Sequence, residues 1–375
     1  MGKIEEYMFE HLVKEYALKK APSTVIPVGV SIEEVKRKYG LGQVYKLASN
    51  ENPYGVSPKA STAMMEALGE GHLYPDSTRD NVLRHKLAEK HQVGIDQIMV
   101  TCGAANALAY AAETFIKPGV ECIIPSPAYP PYYYNVFKND GVIVDIPSRP
   151  GDMKLDLEKI LQAVNERTRL IFICNPNNPT GTAYPGATIF ECIKDIRKDI
   201  IIVVDEAYID FTDDPEKDTM LNYLPELPNL IVTRTFSKIY GLAAIRLGYA
   251  VACPEIIKYM NKSVAARSLS NIGIEGAIAA LDDEEFRQMT VHNNKVERAY
   301  LSNEFSRMGF TVFESQANFI YVDFKTNCQD LYFKLLPYGV MIRGDFPNAR
   351  ISIGTHVQNE TLVCAIADLL DKGRL

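Results

Sequence analysis

Ile189–Tyr208 reads I-F-E-C-I-K-D-I-R-K-D-I-I-I-V-V-D-E-A-Y. Its first half, Ile189–Lys198, reads as a helix. Its second half, Ile200–Val204, is a short, continuous apolar run and reads as a buried strand. A strand with no polar alternation is covered on both faces, which is the habit of parallel sheets packed between helices. The strand ends on a carboxylate, Asp205. A buried Asp there needs a cationic or N–H partner.

Outward from this unit the alternation continues in both directions. Strands are expected at Ile98–Thr101, Glu121–Ile124, Val142–Ile146, Arg169–Cys174, Asn229–Thr233 and Arg246–Ala252, which with Ile200–Val204 makes a mostly parallel seven-stranded sheet covered by helices. Helices are expected after Gly103 to about Ile116, after the loop Pro125–Tyr134, and over Leu155–Val164. Ligands of such sheets sit at the carboxyl ends of strands. The loops after residues 101, 124, 174 and 204 lie at such ends and should converge on one site.

Upstream, residues 3–19 fit an amphipathic N-terminal helix, an arm packing on the domain or on a second subunit. Ser31 opens a short helix with Glu34 at the capping-box spacing and Gly40 as its stop. Leu47–Gly55, L-A-S-N-E-N-P-Y-G, is too rich in turn formers for a regular element. A helix from Ser57-Pro58 to about Leu68, a turn at Tyr74-Pro75-Asp76 and a helix over 78–91 follow. After Pro254 a long helical region runs to about 308, with Asp282, Glu284, Glu285, Arg287, Lys295, Glu297 and Arg298 on a solvated face. Short strands are expected at Thr311–Phe313, Asn318–Val322, Gly339–Arg343 and Arg350–Ile353, with helices near 327–336 and 358–371. This describes a smaller α+β domain. The expected organisation is an arm and part of the small domain over 1–50, a large domain over 51–260, and the small domain over 261–375.

The 375 residues are 47% hydrophobic and 23% charged, an ordinary globular composition. A net charge of −7 provides no basic footprint for nucleic acid or an anionic membrane. No apolar run is long enough to span a bilayer, and the N-terminus lacks a signal-like apolar core. The seven cysteines are scattered without a C-x-x-C, as expected of reduced core thiols in a cytoplasmic protein, and there is no Cys/His cluster for a metal.

Four loops join the stretch around Lys238 in supplying complementary chemistry. Thr233–Tyr249, T-R-T-F-S-K-I-Y-G-L-A-A-I-R-L-G-Y, centres on Lys238. A desolvated lysine loses its proton and becomes a nucleophile able to form a Schiff base. Thr235, Ser237 and Arg246 suit a phosphate nearby. The same stretch also reads as a surface lysine between a strand and a helix. Asp205 suits a pyridinium nitrogen, and Tyr208 and Asn178 a phenolate oxygen on the same ring. Asn178 lies in Asn175–Gly181, N-P-N-N-P-T-G, which equally reads as a tight turn. Ala104, Ala105 and Asn106 open a helix whose backbone N–H groups form a generic anion site. Tyr129 suits stacking on a planar ring, or packing of its own loop. Together these are the parts pyridoxal 5'-phosphate (PLP) requires.

The chain resembles the fold-type-I PLP aminotransferases, specifically the histidinol-phosphate aminotransferase family. The resemblance rests on Ser49–Gly55 (S-N-E-N-P-Y-G), Tyr74-Pro-Asp76, Asn175–Gly181, Asp205-Glu-Ala-Tyr208, Thr235-Phe-Ser-Lys238, Arg246-Leu-Gly-Tyr249 and Arg350-Ile-Ser-Ile-Gly354. It implies that Lys238 is the Schiff-base lysine and proton shuttle, that Asp205 pairs the pyridine nitrogen, and that Tyr208 and Asn178 contact the ring oxygen. Tyr129 would stack on the ring. The backbone of Ala105 and Asn106, with Thr235, Ser237 and Arg246, would bind the phosphate. Tyr74 would reach the phosphate of the other subunit in a homodimer. Arg350 would bind the substrate's anionic group, with Asn52 beside the site and Arg343 joining Arg350 on a substrate phosphate. Arg343 reads alternatively as the partner of Asp345.

Four departures from the family pattern bear on donor and acceptor rather than on the chemistry. Ala104-Ala105-Asn106 replaces a small–Asp–Glu segment. Ile26 stands where a tyrosine is usual. Ala266-Arg267-Ser268 replaces Pro-Phe-Asn, with Arg267 a candidate extra anion contact. The loop between Arg343 and Arg350 is short. The implied reaction is transamination between an amino substrate and 2-oxoglutarate/glutamate, first with histidinol phosphate. Alternatives on the same scaffold are an aromatic or other amino-acid aminotransferase and a phosphothreonine-type decarboxylase. A PLP-sensing regulator is not expected, because few residues precede the first motif and the chain is acidic.

Overall fold

The computed structural model describes residues 31–75, 77–264 and 269–375. The expected N-terminal helix over 3–19 and the substitution at Ile26 lie outside these residues, as does Arg267.

Strands β1 (Tyr45–Leu47), β2 (Ile98–Thr101), β3 (Glu121–Ser126), β4 (Val142–Pro147), β5 (Thr168–Cys174), β6 (Ile201–Asp205), β7 (Leu230–Thr235) and β8 (Gly248–Ala252) come from the first two thirds of the chain. Strands β9 (Thr311–Phe313), β10 (Phe319–Asp323), β11 (Val340–Ile342) and β12 (Ala349–Ser352) come from the last third. The main sheet has seven strands in the order β2-β8-β7-β6-β5-β3-β4. All its pairs are parallel except those made by β8. Successive residues of β5 and β6 enter opposite cores: Ile171, Ile173, Ile202 and Val204 face one, Leu170, Phe172, Ile201 and Val203 the other. That two-sided burial is why these strands are continuous apolar runs.

The smaller body holds an antiparallel sheet, β12-β10-β9, and a parallel pair, β1-β11. Leu301, Phe305, Ile320, Leu331, Ile351 and Ile366 are among the residues of its core. The helix at Ile32–Tyr39 carries the expected capping box between Ser31 and Glu34, and Gly40 ends it in the left-handed region at φ 67°.

Several expectations need correcting. The helix placed at 189–198 runs over Gly186–Ile193, opened by Pro185. Among the described residues the long helical region after Pro254 is broken into three α-helices, Pro254–Met260, Asn271–Leu281 and Glu284–Arg307. The last break falls at Asp283, which caps the third helix and also accepts from Ser57 Oγ at 2.5 Å. Two residues assigned to a solvated face are buried. Glu297 accepts from Asn359 Nδ2 at 2.9 Å, and Arg298 donates to the carbonyls of Ala317 and Phe211 at 3.0 and 3.3 Å. Strand β8 begins at Gly248, and Arg246 precedes it at φ 58° rather than in extended backbone. The three-residue strand β1 was not anticipated.

The helix Asn271–Leu281 packs on Pro58–Ala67. Its Gly276 lies so close that a Cβ would meet Met64 Cγ at 2.6 Å. Ile274, Ala277 and Ala280 belong to the core of the large sheet.

Candidate active site

Asp205 ends β6 opposite Cys174 of β5 and Thr233 of β7. Its carboxylate is buried and accepts from Tyr132 Oη at 2.7 Å, Thr233 Oγ1 at 3.2 Å and the Ala207 N–H at 3.2 Å. All three donors are neutral. Burial raises the Asp205 pKa above the usual carboxylate range. Such a group is stabilised most by a cation.

Lys238 follows β7 by three residues. Its Nζ donates to the Ser49 carbonyl at 3.1 Å and lies 5.6 Å from the Tyr208 ring centroid. Desolvation, with the Arg350 guanidinium adding to it, pushes its pKa down to about 7. The amine is therefore substantially neutral near neutral pH, the state a nucleophile needs. Lys238 is half-buried, and its amine points inward to the Ser49 carbonyl and the Tyr208 ring, not out to solvent.

The Tyr208 hydroxyl accepts from Asn50 Nδ2 at 3.0 Å and Asn178 Nδ2 at 3.5 Å. Asn178 Oδ1 in turn accepts from Arg350 Nη1 at 2.6 Å. Arg350 Nη2 donates to the Ala48 carbonyl at 2.6 Å, while its Nε is buried with no partner. Burial lowers the Arg350 pKa to about 10. Lys238, Tyr208, Asn178 and Arg350 thus form one connected centre that joins the loops of the main sheet to β12 of the smaller one.

At the carboxyl end of β2 the chain turns through Gly103, φ 82°, into the helix Ala104–Phe115. A Cβ on Gly103 would stand 2.7 Å from Arg246 Nη2, and one on Gly248 only 2.4 Å from the Ala104 nitrogen. Arg246 Nη1 donates to the Ala243 carbonyl at 2.8 Å and reaches Ser237 Oγ at 3.5 Å. Thr235 Oγ1 accepts the Ser237 N–H at 3.1 Å. The first N–H groups of a helix, here at Ala104 and Ala105, have no carbonyl of their own helix to donate to, while the Asn106 N–H donates to the Gly103 carbonyl at 3.1 Å. With a guanidinium and hydroxyls alongside, they form an anion cradle. Tyr129 caps the next helix, Pro130–Lys138, and meets Tyr132 edge-on with centroids 5.7 Å apart.

The remaining candidates lie as follows. Asn52 Nδ2 donates to the Ile239 carbonyl at 3.0 Å, one residue from Lys238. Tyr74 is 77% exposed and is not in the centre of this chain. Arg343 exchanges both backbone bonds with Arg350, yet its side chain is engaged by Asp345, Nε to Oδ1 at 2.5 Å and Nη2 to Oδ2 at 2.6 Å.

Two site residues were missed. Asn50 has φ 54° and is held by Ser352 and Asn318. Its signal was an Asn in a turn-rich motif that also held Asn52. Tyr132 sat in a run of tyrosines, and nothing local separates it from Tyr133 or Tyr134.

The profile of the family described as "Aminotransferase class I and II" matches residues 42–366. A histidinol-phosphate aminotransferase of Caldicellulosiruptor saccharolyticus is 38% identical, over 93% of this chain and 98% of its own. One from Brevibacillus brevis is 36% identical, over 91% of this chain and 94% of its own. The crystal structure of histidinol-phosphate aminotransferase from Sinorhizobium meliloti in complex with pyridoxal-5'-phosphate is similar at 25% identity, with a TM-score of 0.85, covering 94% of this chain and 99% of that one.

Proposed function

Because the chain belongs to the class I and II aminotransferases, a PLP-dependent enzyme family, we propose that it transfers an amino group between histidinol phosphate and 2-oxoglutarate/glutamate. The observation that carries this substrate is likeness, at 38% and 36% identity over nine tenths of the chain, to relatives of that name.

The residues fit the cofactor. Gly103 and Gly248 let the Arg246 guanidinium and the start of the helix at Ala104 approach closely, Asp205 is buried with neutral donors alone, and Lys238 is desolvated. When bound, PLP supplies a carbonyl for the substrate amine and a ring that accepts the electron pair released at Cα. In this reading Arg246, Ser237, Thr235 and the N–H groups of Ala104, Ala105 and Asn106 hold the phosphate. Asp205 keeps a proton on the ring nitrogen. Tyr208 and Asn178, joined by Asn50, hold the ring oxygen, and Tyr129 covers the ring. Lys238 would anchor the cofactor through its neutral amine and would serve as the base that takes up and returns the proton of the substrate's Cα. Its depressed pKa suits that exchange. Arg350 receives the substrate's anionic group, and Asn52 steadies the backbone at Ile239.

A second reading, a donor bearing only a carboxylate, is favoured by the Arg343–Asp345 pair, which occupies the second guanidinium. The half-reaction separates the two. Loss of the visible band of the lysine-bound cofactor with histidinol phosphate but not with phenylalanine supports the first reading. The reverse pattern supports the second.

We also propose a homodimer. Met65, Leu68, Leu73 and Tyr74 are exposed, and an apolar surface of this kind suits a second copy, to whose site Tyr74 would be carried. The seven free cysteines suit the reducing cytoplasm. No helix among the described residues is long and apolar enough to cross a membrane. We place the division between the two bodies at Asp282–Asp283, since Asn271–Leu281 packs with the large sheet.

A further inference from the structure

Arg343 and Arg350 face each other across the smaller body. Each donates its backbone N–H to the other's carbonyl at 3.0 Å. Residues paired in this way project side chains to the same side. Both guanidiniums lie over the Phe346 ring, with carbons 5.9 and 5.7 Å from its centroid. Two like charges so placed repel, and the chain treats them differently. Among the described residues Arg350 has no carboxylate partner. It is spent on Asn178 and the Ala48 carbonyl, and its Nε is unpartnered. Arg343 has one, Asp345, in a two-bond fork.

Asp345 is held where it is. Its side chain is 3% exposed while that of Arg343 is 37% exposed. The loop that carries it is pinned at both ends. A Cβ on Gly344 would strike the Cys328 carbonyl at 2.4 Å, and the Asn348 N–H donates to Tyr321 Oη at 3.1 Å. A buried carboxylate cannot let go of its cation cheaply. A ligand anion seeking Arg343 therefore competes with an anion already tethered beside it, at a high effective concentration.

We propose that Asp345 is a specificity-determining residue that sets the charge accepted at the substrate end of the site. It leaves one guanidinium without a carboxylate, Arg350, and yields the second only to an anion strong enough to displace a carboxylate. A donor ending in a single negative charge needs Arg350 alone. A donor ending in a phosphate dianion must recruit Arg343 from Asp345. The inference rests on the reading that Arg343 and Arg350 flank the substrate.

The test uses the PLP-loaded enzyme and compares kcat/KM for histidinol phosphate with kcat/KM for phenylalanine. Asp345→Asn should raise the ratio of the two about tenfold, the scale expected of a close, partly screened charge pair. Inorganic phosphate should become a correspondingly tighter competitive inhibitor. Asp345→Ser, with the visible band of the bound cofactor as the check on folding, provides a second route to the same result. An unchanged or lowered ratio in the folded variants overturns the inference. Arg343→Ala separates the two levels. If it weakens histidinol phosphate while Asp345→Asn leaves the ratio unchanged, the substrate reading stands and the role of Asp345 falls. If it changes neither donor, both fall.

Discussion

Arg350 Nη1 donates to Asn178 Oδ1 at 2.6 Å, joining β12 of the smaller body to the loop that follows β5 of the larger one. Asn178 reaches Tyr208, and the Lys238 amine stands over the Tyr208 ring. In the proposed reading, the cation that receives the substrate and the groups that hold the cofactor are thus one network. Arg350→Gln should lower kcat/KM about 100-fold or more, since two charge-assisted bonds at about 1.5–3 kcal/mol each are at stake. Lys238 is untouched, so the visible band of the bound cofactor should persist. Steady-state kinetics and an absorption spectrum on the same sample check both halves.

Tyr132 should govern how readily Asp205 keeps its charge. The tyrosine is fully buried, stacked on Phe172 with centroids 4.8 Å apart, and donates to Asp205 Oδ2. Burial raises its own pKa, so it stays a donor. That bond lowers the Asp205 pKa against the larger upward push of desolvation. Tyr132→Phe removes it, so the Asp205 carboxyl should protonate at higher pH. The acidic limb of the kcat/KM profile should move to higher pH, and kcat should fall about tenfold. A profile identical to that of the wild type would deny Tyr132 this role.

Lys238 should cost the cofactor-free protein stability. Its pKa falls from an ordinary 10.5 to about 7 on folding. Between those values the unfolded chain binds the proton and the folded chain does not, so stability rises with pH across that window. The penalty is full below about 7 and vanishes above 10.5. Cofactor-free Lys238→Met should therefore melt above the wild type near neutral pH, with the margin shrinking toward the alkaline end. Paired thermal melts across the window test it. A margin independent of pH would show that the lysine is not desolvated.

The anion cradle tolerates no added methyl. Gly248→Ala would drive a Cβ to 2.4 Å from the Ala104 nitrogen and 2.8 Å from the Arg234 carbonyl. Overpacking of this kind costs about 1–3 kcal/mol. The loss should appear chiefly as weaker PLP binding, because the displaced backbone belongs to the cradle. Fluorescence titration of cofactor-free protein with PLP measures it, and a variant that binds PLP as tightly as the wild type would contradict the assignment.

The main sheet was legible because its strands are buried on both faces. Thr168–Cys174 and Ile201–Asp205 need no tertiary information to be recognised as short apolar runs. Strand β1 was not legible: three residues, one of them Lys46, become a strand only by pairing with Val340–Ile342, far away in sequence. Glu297 and Arg298 looked solvated for a related reason. Their helix is charged throughout, and the groups that bury them, Asn359 and the carbonyls of Phe211 and Ala317, come from remote segments. In the site, Lys238, Asp205, Asn178, Tyr208 and Arg246 became legible only in combination and through the resemblance, since the stretches of Lys238 and Asn178 each also fit a plain loop. Asn50 and Tyr132 were not legible, because their roles come from partners rather than from their own neighbourhoods. For Arg343, the sequence could not decide between a ligand and Asp345, whereas the structure shows the carboxylate in place.

The most direct measurement is the absorption spectrum after adding PLP to wild type and to Lys238→Ala, followed by borohydride reduction and peptide mass analysis. The wild type should gain a visible band, and reduction should fix the cofactor to the peptide carrying Lys238. The variant should gain neither and should not turn over. A variant that keeps the band and its turnover, or a wild type labelled at a different lysine, would contradict the assignment of Lys238 as the residue on which the site is built.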